Sequence, residues 1–249
     1  MRTRTPLTAR LEPFDSYWQA PANVEKGYTS FRQYYRGNYV KYLPTDKSSE
    51  VLVVSCGPGY LVALLNELGF QNVLGIDSDA EKITHAQKRE LNCRVEQAFP
   101  FLDQGDDEFD LIVCEQELNH LTTQEMLDFL ELCWQRLRPK GKLIVYGLNG
   151  ANPITGSEAL AQNVDHFSTF TEYSLRQVLE LANFTNIRVV PLNLYVFYKN
   201  PLNYVGLVIT GSLHLLFRLA FKLYGKSNRI FTKKIAAVCE RPSAGVATA

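Results

Sequence analysis

Two glycines and one carboxylate set the first chemical constraint. In the stretch EVLVVSCGPGYLVALLNELGFQNVLGIDSD, residues 50–79, Gly57 and Gly59 follow one apolar run and Asp77 closes the next. Glycine tolerates positive φ and lets a backbone N–H approach a ligand with no Cβ in the way. A carboxylate about twenty residues further on, at the end of the second strand of such a unit, accepts hydrogen bonds from both hydroxyls of a ribose. Together these residues describe the grip on a nucleotide-type cofactor.

The cofactor class turns on the next small residue. A dinucleotide fingerprint, G-x-G-x-x-G/A, needs a small third residue so that helix and strand pack closely beside a pyrophosphate. Counted from Gly57 that position holds Val62, and counted from Ser55 it holds Tyr60. Neither register satisfies the pattern, which disfavours an NAD-dependent oxidoreductase. S-adenosylmethionine, with ribose and adenine but no phosphate, is the alternative that the same geometry serves.

The elements that must position these residues are legible in the pattern of apolar runs. VLVVS is a strand, a helix over 60–68 ends at Gly69, NVLGID is a second strand, and Asp79 caps a helix over 80–91. CRVEQ and FDLIVCE (109–115) follow as strands. Thr122 and Glu125 form a capping box for a helix over 123–137, and RPKGKLIVYGL is a turn leading into a fifth strand. Thr171 caps a helix over 172–182, NIRVVPL is a sixth strand, and KKIAAVCER (233–241) is the last. The alternation predicts an α/β fold, a Rossmann-like, doubly wound, mostly parallel seven-stranded sheet covered on both faces. Ligands of such sheets lie beyond the carboxyl ends of the strands, where strand order reverses. The expected organisation is an N-terminal helical lid (1–45), a cofactor-binding core (46–198), a helical insertion (199–232), a closing strand (233–241) and a disordered tail (242–249).

On these residues the chain resembles the class I S-adenosylmethionine-dependent methyltransferases. LVVSCGPG stands where their first motif reads like LDVGCGPG, and Asp77 matches their ribose-binding acid. DEFDLIVCEQELNHL (107–121), LRPKGKLIV and FTEYSLRQVLELANF (170–184) are similar to their later motifs. The resemblance implies a cofactor site at Ser55, Cys56, Gly57, Gly59, Asp77 and Ser78; by position Ala98 and Phe99 could lie against adenine, Phe99 equally in the core, and Glu115 is a cofactor or substrate contact, since a carboxylate is favoured near a sulfonium, or a solvated loop acid. Two positions depart from the family: Val53 replaces the acid that helps hold the cofactor's amino group, and Ser55 replaces the first glycine. Those departures keep a second reading open, a SAM-binding regulatory protein with weakened catalysis.

Methyl transfer from a sulfonium is an in-line displacement, so alignment and exclusion of water dominate. A hydroxyl acceptor gains a further factor of about 10²–10⁴ from a general base. His120, after the fourth strand, and His166, after the fifth, are the candidate bases; His120 could equally tie its loop to a backbone carbonyl, and His166 could serve the substrate instead. Glu117 and the aromatic N-terminal segment, Tyr28 and Tyr35 above all, are candidate substrate or lid residues. Tyrosines there reach the methionine carboxylate, enclose the sulfonium by cation–π contact, or simply pack.

Composition bounds the partners. The chain has 249 residues, 46% of them hydrophobic and 21% charged, and its formal net charge of +0 offers no footprint for nucleic acid. Five cysteines, at 56, 93, 114, 133 and 239, form no CxxC pair, which points to a reducing cytoplasm and to no metal site. The charge is segregated: eight Lys/Arg and a single acid, Glu240, lie between Lys199 and Arg241, so a body of about −7 carries a C-terminal region of about +7. Within that region Leu202–Phe217 is an uncharged run of sixteen residues, about 24 Å as helix and short of a bilayer core. It reads as an interfacial amphipathic helix (202–224) at the inner membrane face, with a pocket cap or a homodimer surface as the alternatives. The arrangement of this region with NGANPITGS and DHFSTFTEYSLRQVL is similar to methyltransferases of bacterial surface-polysaccharide assembly, which implies a glycan acceptor.

Overall fold

The computed structural model describes residues 21–115, 118–161, 166–196 and 200–243. Helix α1 (Pro21–Asn38) leads into strand β1 (Glu50–Val54), then α2 (Tyr60–Glu67), β2 (Asn72–Asp77), α3 (Ala80–Gln87), β3 (Cys93–Val95), α4 (Ala98–Gln104) and β4 (Phe109–Cys114). The second half runs α5 (Thr123–Arg136), β5 (Leu137–Leu148), α6 (Gly156–Ala161), α7 (Glu172–Leu181), β6 (Thr185–Leu192), α8 (Leu202–Leu223) and β7 (Lys234–Glu240). The seven strands form one sheet in the order β3-β2-β1-β4-β5-β7-β6, with only β7 antiparallel to its neighbours. Strand order therefore reverses between β1 and β4.

Successive side chains of each central strand feed opposite faces, which explains why these strands read as unbroken apolar runs. Leu52, Val54, Ile112, Cys114, Leu143 and Val145 pack with Phe129 and Cys133 of α5 and Leu175 and Leu179 of α7. Val51, Val53, Leu111, Val113, Ile144 and Tyr146 pack with Leu61 and Leu65 of α2, Ile83 of α3, and Tyr35 of α1. Val62 is fully buried, with its Cγ2 3.0 Å from where a Cβ on Gly75 would stand. A glycine in the strand thus accommodates the bulk that the dinucleotide pattern forbids.

The expected caps are present. Asp79 accepts from the N–H groups of Glu81 and Lys82, and Thr122 with Glu125 forms the capping box. Thr171 caps α7 with Ser174. Helix α3 is shorter than expected, ending before Lys88, because Glu90 turns into the left-handed region at φ +58°. Helix α4 was not expected; its Pro100 sits in the first turn, where a missing N–H costs nothing. The expected turn before β5 is absorbed into a twelve-residue strand, with Lys140 at φ +66°.

Helix α8 corrects the length argument made from the uncharged run. It continues through Arg218 and Lys222 to 22 residues, about 33 Å, and is long and apolar enough to cross a bilayer by length and composition. None of its residues is buried. The end of β5 is locked to the segment entering β7 by Asn149, fully buried, whose Nδ2 donates to the carbonyls of Ile230 (3.0 Å) and Thr232 (2.9 Å) while Oδ1 accepts from Ala151 N–H. Asn149→Ala leaves three buried polar groups unmatched and is expected to cost about 3 kcal/mol in a urea unfolding titration; a loss below about 1 kcal/mol would show that the groups re-pair.

Candidate active site at the carboxyl edge

The glycine turn lies at the reversal point. Ser55, Gly57 and Gly59 all occupy the left-handed region, at φ +56°, +54° and +81°. Ser55 therefore adopts the backbone that a glycine would take there, and the departure from the family pattern preserves the loop's shape. A Cβ on Gly57 would enter open space, whereas one on Gly59 would stand 2.8 Å from Leu91 Cδ1 and 3.2 Å from Ala86 Cβ. Gly57 keeps the ligand side clear; Gly59 lets the turn press on the end of α3. Cys56 is buried, its sulfur and that of Cys93 flanking Gly75, so its side chain serves packing.

Asp77 ends β2 and holds the turn. Its Oδ2 accepts from Gly57 N–H at 2.8 Å and its Oδ1 from Asp79 N–H at 2.9 Å. Burial pushes its carboxyl up, and the Asp79 N–H, the Lys82 charge and the Gly57 N–H partly offset this. Each oxygen keeps a lone pair for further donors. Ser78 beside it is exposed. A clear space at Gly57 beside a half-buried carboxylate with acceptor capacity fits a ribose diol.

Helix α1 covers the turn. The Tyr28 hydroxyl donates to the Pro58 carbonyl, its ring meets Tyr60 edge-on at 4.8 Å, and the Arg89 guanidinium lies 3.8 Å from its centroid. Phe31 stacks on Tyr60 at 4.9 Å. Tyr28 is thus a tether of the lid, its hydroxyl committed to the loop backbone. Tyr35, a helical turn and more along, donates to Glu115 Oε2 at 2.6 Å.

Glu115 follows β4, its N–H bonded to the Val54 carbonyl at 3.1 Å, so it stands next to Ser55. Burial raises its carboxyl to about 7, against the lowering pull of the Tyr35 hydroxyl and the Lys234 charge. Lys234, at the start of β7, is pushed down by the same burial and held up in part by Glu115. Its Nζ donates to Tyr146 Oη at 3.5 Å. Lys234 and Tyr146 were not expected here: a lysine opening an apolar strand carries no spacing signal, and only the antiparallel insertion of β7 beside β5 brings it to this edge of the sheet.

His120 and His166, 46 positions apart, meet with ring centroids 4.8 Å apart. Asn119 brings the two loops together, its Nδ2 donating to the Ser168 carbonyl (2.7 Å) and its Oδ1 accepting from Leu148 N–H (3.1 Å). His166 Nδ1 lies 2.6 Å from the Ala159 carbonyl. A carbonyl can only accept, so Nδ1 carries the proton of that bond.

Ala98 and Phe99 open α4. The Phe99 ring packs 5.6 Å from Phe129 in the core, which commits it there and not to adenine. Ala98 stands at the first helical position, whose N–H has no partner within the helix. Glu117 lies outside the described residues. A groove of about 620 Å³ lined by Glu50, Asn72, Arg94, Asp107 and Arg138 opens at the opposite, amino edge of the sheet, away from all of these groups.

Comparison with known proteins agrees with this geometry. A family model described as a methyltransferase domain matches residues 28–189. A SAM-dependent methyltransferase from Archaeoglobus fulgidus superposes with a TM-score of 0.63 at 16% identity, over 86% of this chain and 94% of that one. Phosphoethanolamine N-methyltransferase 2 of Haemonchus contortus, in complex with S-adenosyl-L-methionine, gives 0.55 at 15% identity over 91% and 59%. Human N-acetylserotonin methyltransferase, in complex with SAM, gives 0.57 at 12% identity over 92% and 59%. No curated protein matches in sequence.

Glu115 gives the fold a pH dependence whose sign follows from the shift. An acid raised from 4.5 to about 7 holds its proton in the native state after the unfolded chain has lost it. Stability is therefore expected to fall by on the order of 2–3 kcal/mol as pH rises from 4.5 to about 7, and to level off above. Urea titrations across this range on wild type and Glu115→Gln check it; an unaltered slope in the variant would place the titration elsewhere.

Proposed function

As this chain belongs to the methyltransferase domain family and is an enzyme that takes S-adenosylmethionine as methyl donor, we propose that it methylates a hydroxyl of a sugar, a glycan or another small molecule. The donor, when bound, supplies an electrophilic methyl group on a sulfonium. The observation that carries the proposal is the histidine pair at the carboxyl edge, with His166 held through Nδ1 by the Ala159 carbonyl. A hydroxyl needs a base, whereas an amine acceptor does not require one held in a chosen tautomer.

The remaining roles follow from position. Asp77 holds the ribose diol with the Gly57 backbone beside it, and the first N–H of α4, at Ala98, faces the adenine end. Val53 is fully buried and offers no charge. Glu115, one strand over and next to Ser55, takes the part of the missing acid toward the cofactor's amino group. Tyr35 and Lys234 hold that carboxylate in place, and α1 keeps water from the turn. His166 accepts the acceptor's proton at Nε2, with His120 packed against its ring. A SAM-binding regulatory protein is the rival reading; Ser55 counts against it, because its backbone keeps the glycine conformation. The glycan acceptor rests on the resemblance of the C-terminal motifs and on the choice of a hydroxyl.

Two measurements test this reading. Asp77→Asn removes charge-assisted bonds worth about 1.5–3 kcal/mol and is expected to weaken donor binding about ten- to a hundredfold in calorimetric titration; equal affinities would reject the ribose assignment. His166→Gln is expected to lower kcat/KM by about 10²–10⁴ in a tritiated-methyl assay on glycan fractions, with donor affinity unchanged. A fully active variant would remove the base from the mechanism.

A further inference from the structure

Helix α8 departs from the usual behaviour of an apolar segment. Along it, Asn203, Gly206, Leu207, Thr210, Leu213, His214, Phe217, Ala220 and Phe221 are half-buried at helical spacing and form the inner face. The outer face is apolar as well: Val205, Val208, Ile209, Leu215, Leu216, Leu219 and Leu223 are all more than half exposed, Val208 at 70% and Leu223 at 88%. Such a face ordinarily marks an interaction surface.

The occupant is indicated by charge. No Asp or Glu occurs between Glu180 and Glu240, while Arg218, Lys222, Lys226 and Arg229 cluster at the carboxyl-terminal end of α8 and just beyond it. All four are exposed. Glu172 meets this end through the N–H groups of Arg229 and Ile230, and the cations still outnumber it; an apolar face with such a rim complements an anionic lipid surface, where each Lys or Arg near the headgroups adds to the attraction. A second copy of the same helix offers no carboxylate to meet these cations.

The manner of contact follows from how the helix is fastened. At its amino end, Gly206 lies against the Tyr195 ring, where a Cβ would stand 2.8 Å from ring atoms, and Asn203 Nδ2 donates to the Val196 carbonyl at 3.5 Å. At its carboxyl end, Phe217 and Phe221 pack on buried Phe231, with centroids at 5.9 and 4.7 Å, and Arg218 Nε donates to the Arg229 carbonyl at 2.8 Å. A helix seated on the body at both ends lies along a surface and does not cross it. Its seats follow β6 and precede β7, and Leu192 of β6, Lys234 of β7 and Leu148 of β5 are neighbours in register. The helix therefore lies at the same edge as the histidine pair and Lys234.

We propose that the outer face of α8 docks in the headgroup region of an anionic bilayer, its axis parallel to the membrane, and so turns the carboxyl-edge site toward the lipid surface. That the acceptor is presented at this surface rests on the methyltransferase reading above; the docking does not. The test is flotation of the full chain with phosphatidylcholine vesicles containing phosphatidylserine, beside pure phosphatidylcholine vesicles. Binding is expected to the anionic vesicles, to weaken with added salt, and to fall about tenfold or more in Val208→Asp/Leu215→Asp/Leu219→Asp. Lys222→Glu/Lys226→Glu, which leaves the apolar face intact, is expected to fall likewise and covers the case in which the first variant fails to fold. Wild type that does not float, or either folded variant floating as well as wild type, overturns the proposal. So does self-association of wild type in analytical ultracentrifugation that the first variant abolishes, with no flotation. Donor affinity, measured by calorimetry without vesicles, is expected to be the same in all three proteins, so failure of the docking and failure of the methyltransferase reading give different results.

Discussion

One carboxylate holds the glycine turn and the following strand in a single piece. Asp77 takes the N–H of Gly57 with one oxygen and that of Asp79 with the other, so the loop after β1 and the loop after β2 cannot move independently. Three residues of that first loop sit in the left-handed region, which for Ser55 is unfavourable in the absence of outside support. The bond from Gly57 supplies the support, and Asp79 is thereby placed to cap α3. Tyr28 adds a second hold on the same turn from the lid side through the Pro58 carbonyl. A ligand at this point meets a surface that is already shaped, and the ordering cost of binding falls accordingly.

A second constraint is the low dielectric around Glu115. Tyr35 from α1, Tyr146 from β5, Lys234 from β7 and Glu115 from the end of β4 converge on one small volume. Burial pushes the acid up and the lysine down, and each charge partly rescues the other. Such a cluster is kept only where its charges are matched, and a cationic ligand beside Glu115 would be favoured by the same field. The lid and the closing strand are thus coupled electrostatically although they lie at opposite ends of the chain.

The carboxyl edge also gathers loops from distant parts of the chain. Asn119 joins the loops that bear His120 and His166, and Asn149 joins β5 to the segment that brings the chain back from α8. Asn38 donates to the Asn193 carbonyl, which ties the lid helix to the loop that leads toward α8. Lid, histidine pair and exposed helix therefore share one rim of the sheet.

The sequence by itself determined the sheet, the caps and the glycine turn, because these depend on local periodicity and on residues close together in the chain. Gly57, Gly59 and Asp77 lie within one βαβ unit, and the capping of α3, α5 and α7 needs only three or four consecutive residues. Tertiary structure alone decided which side chains are committed elsewhere: Phe99 to Phe129, the Tyr28 hydroxyl to the glycine turn, and Cys56 to the packing beneath it. It alone placed Lys234 beside Glu115, since that approach depends on a strand inserted antiparallel between β5 and β6. It also turned α8 from a run judged too short to span a bilayer into a 22-residue helix fastened at both ends with an apolar outer face. Hydropathy along a chain measures how apolar a segment is, whereas what covers it is settled only when the rest of the molecule has taken its place.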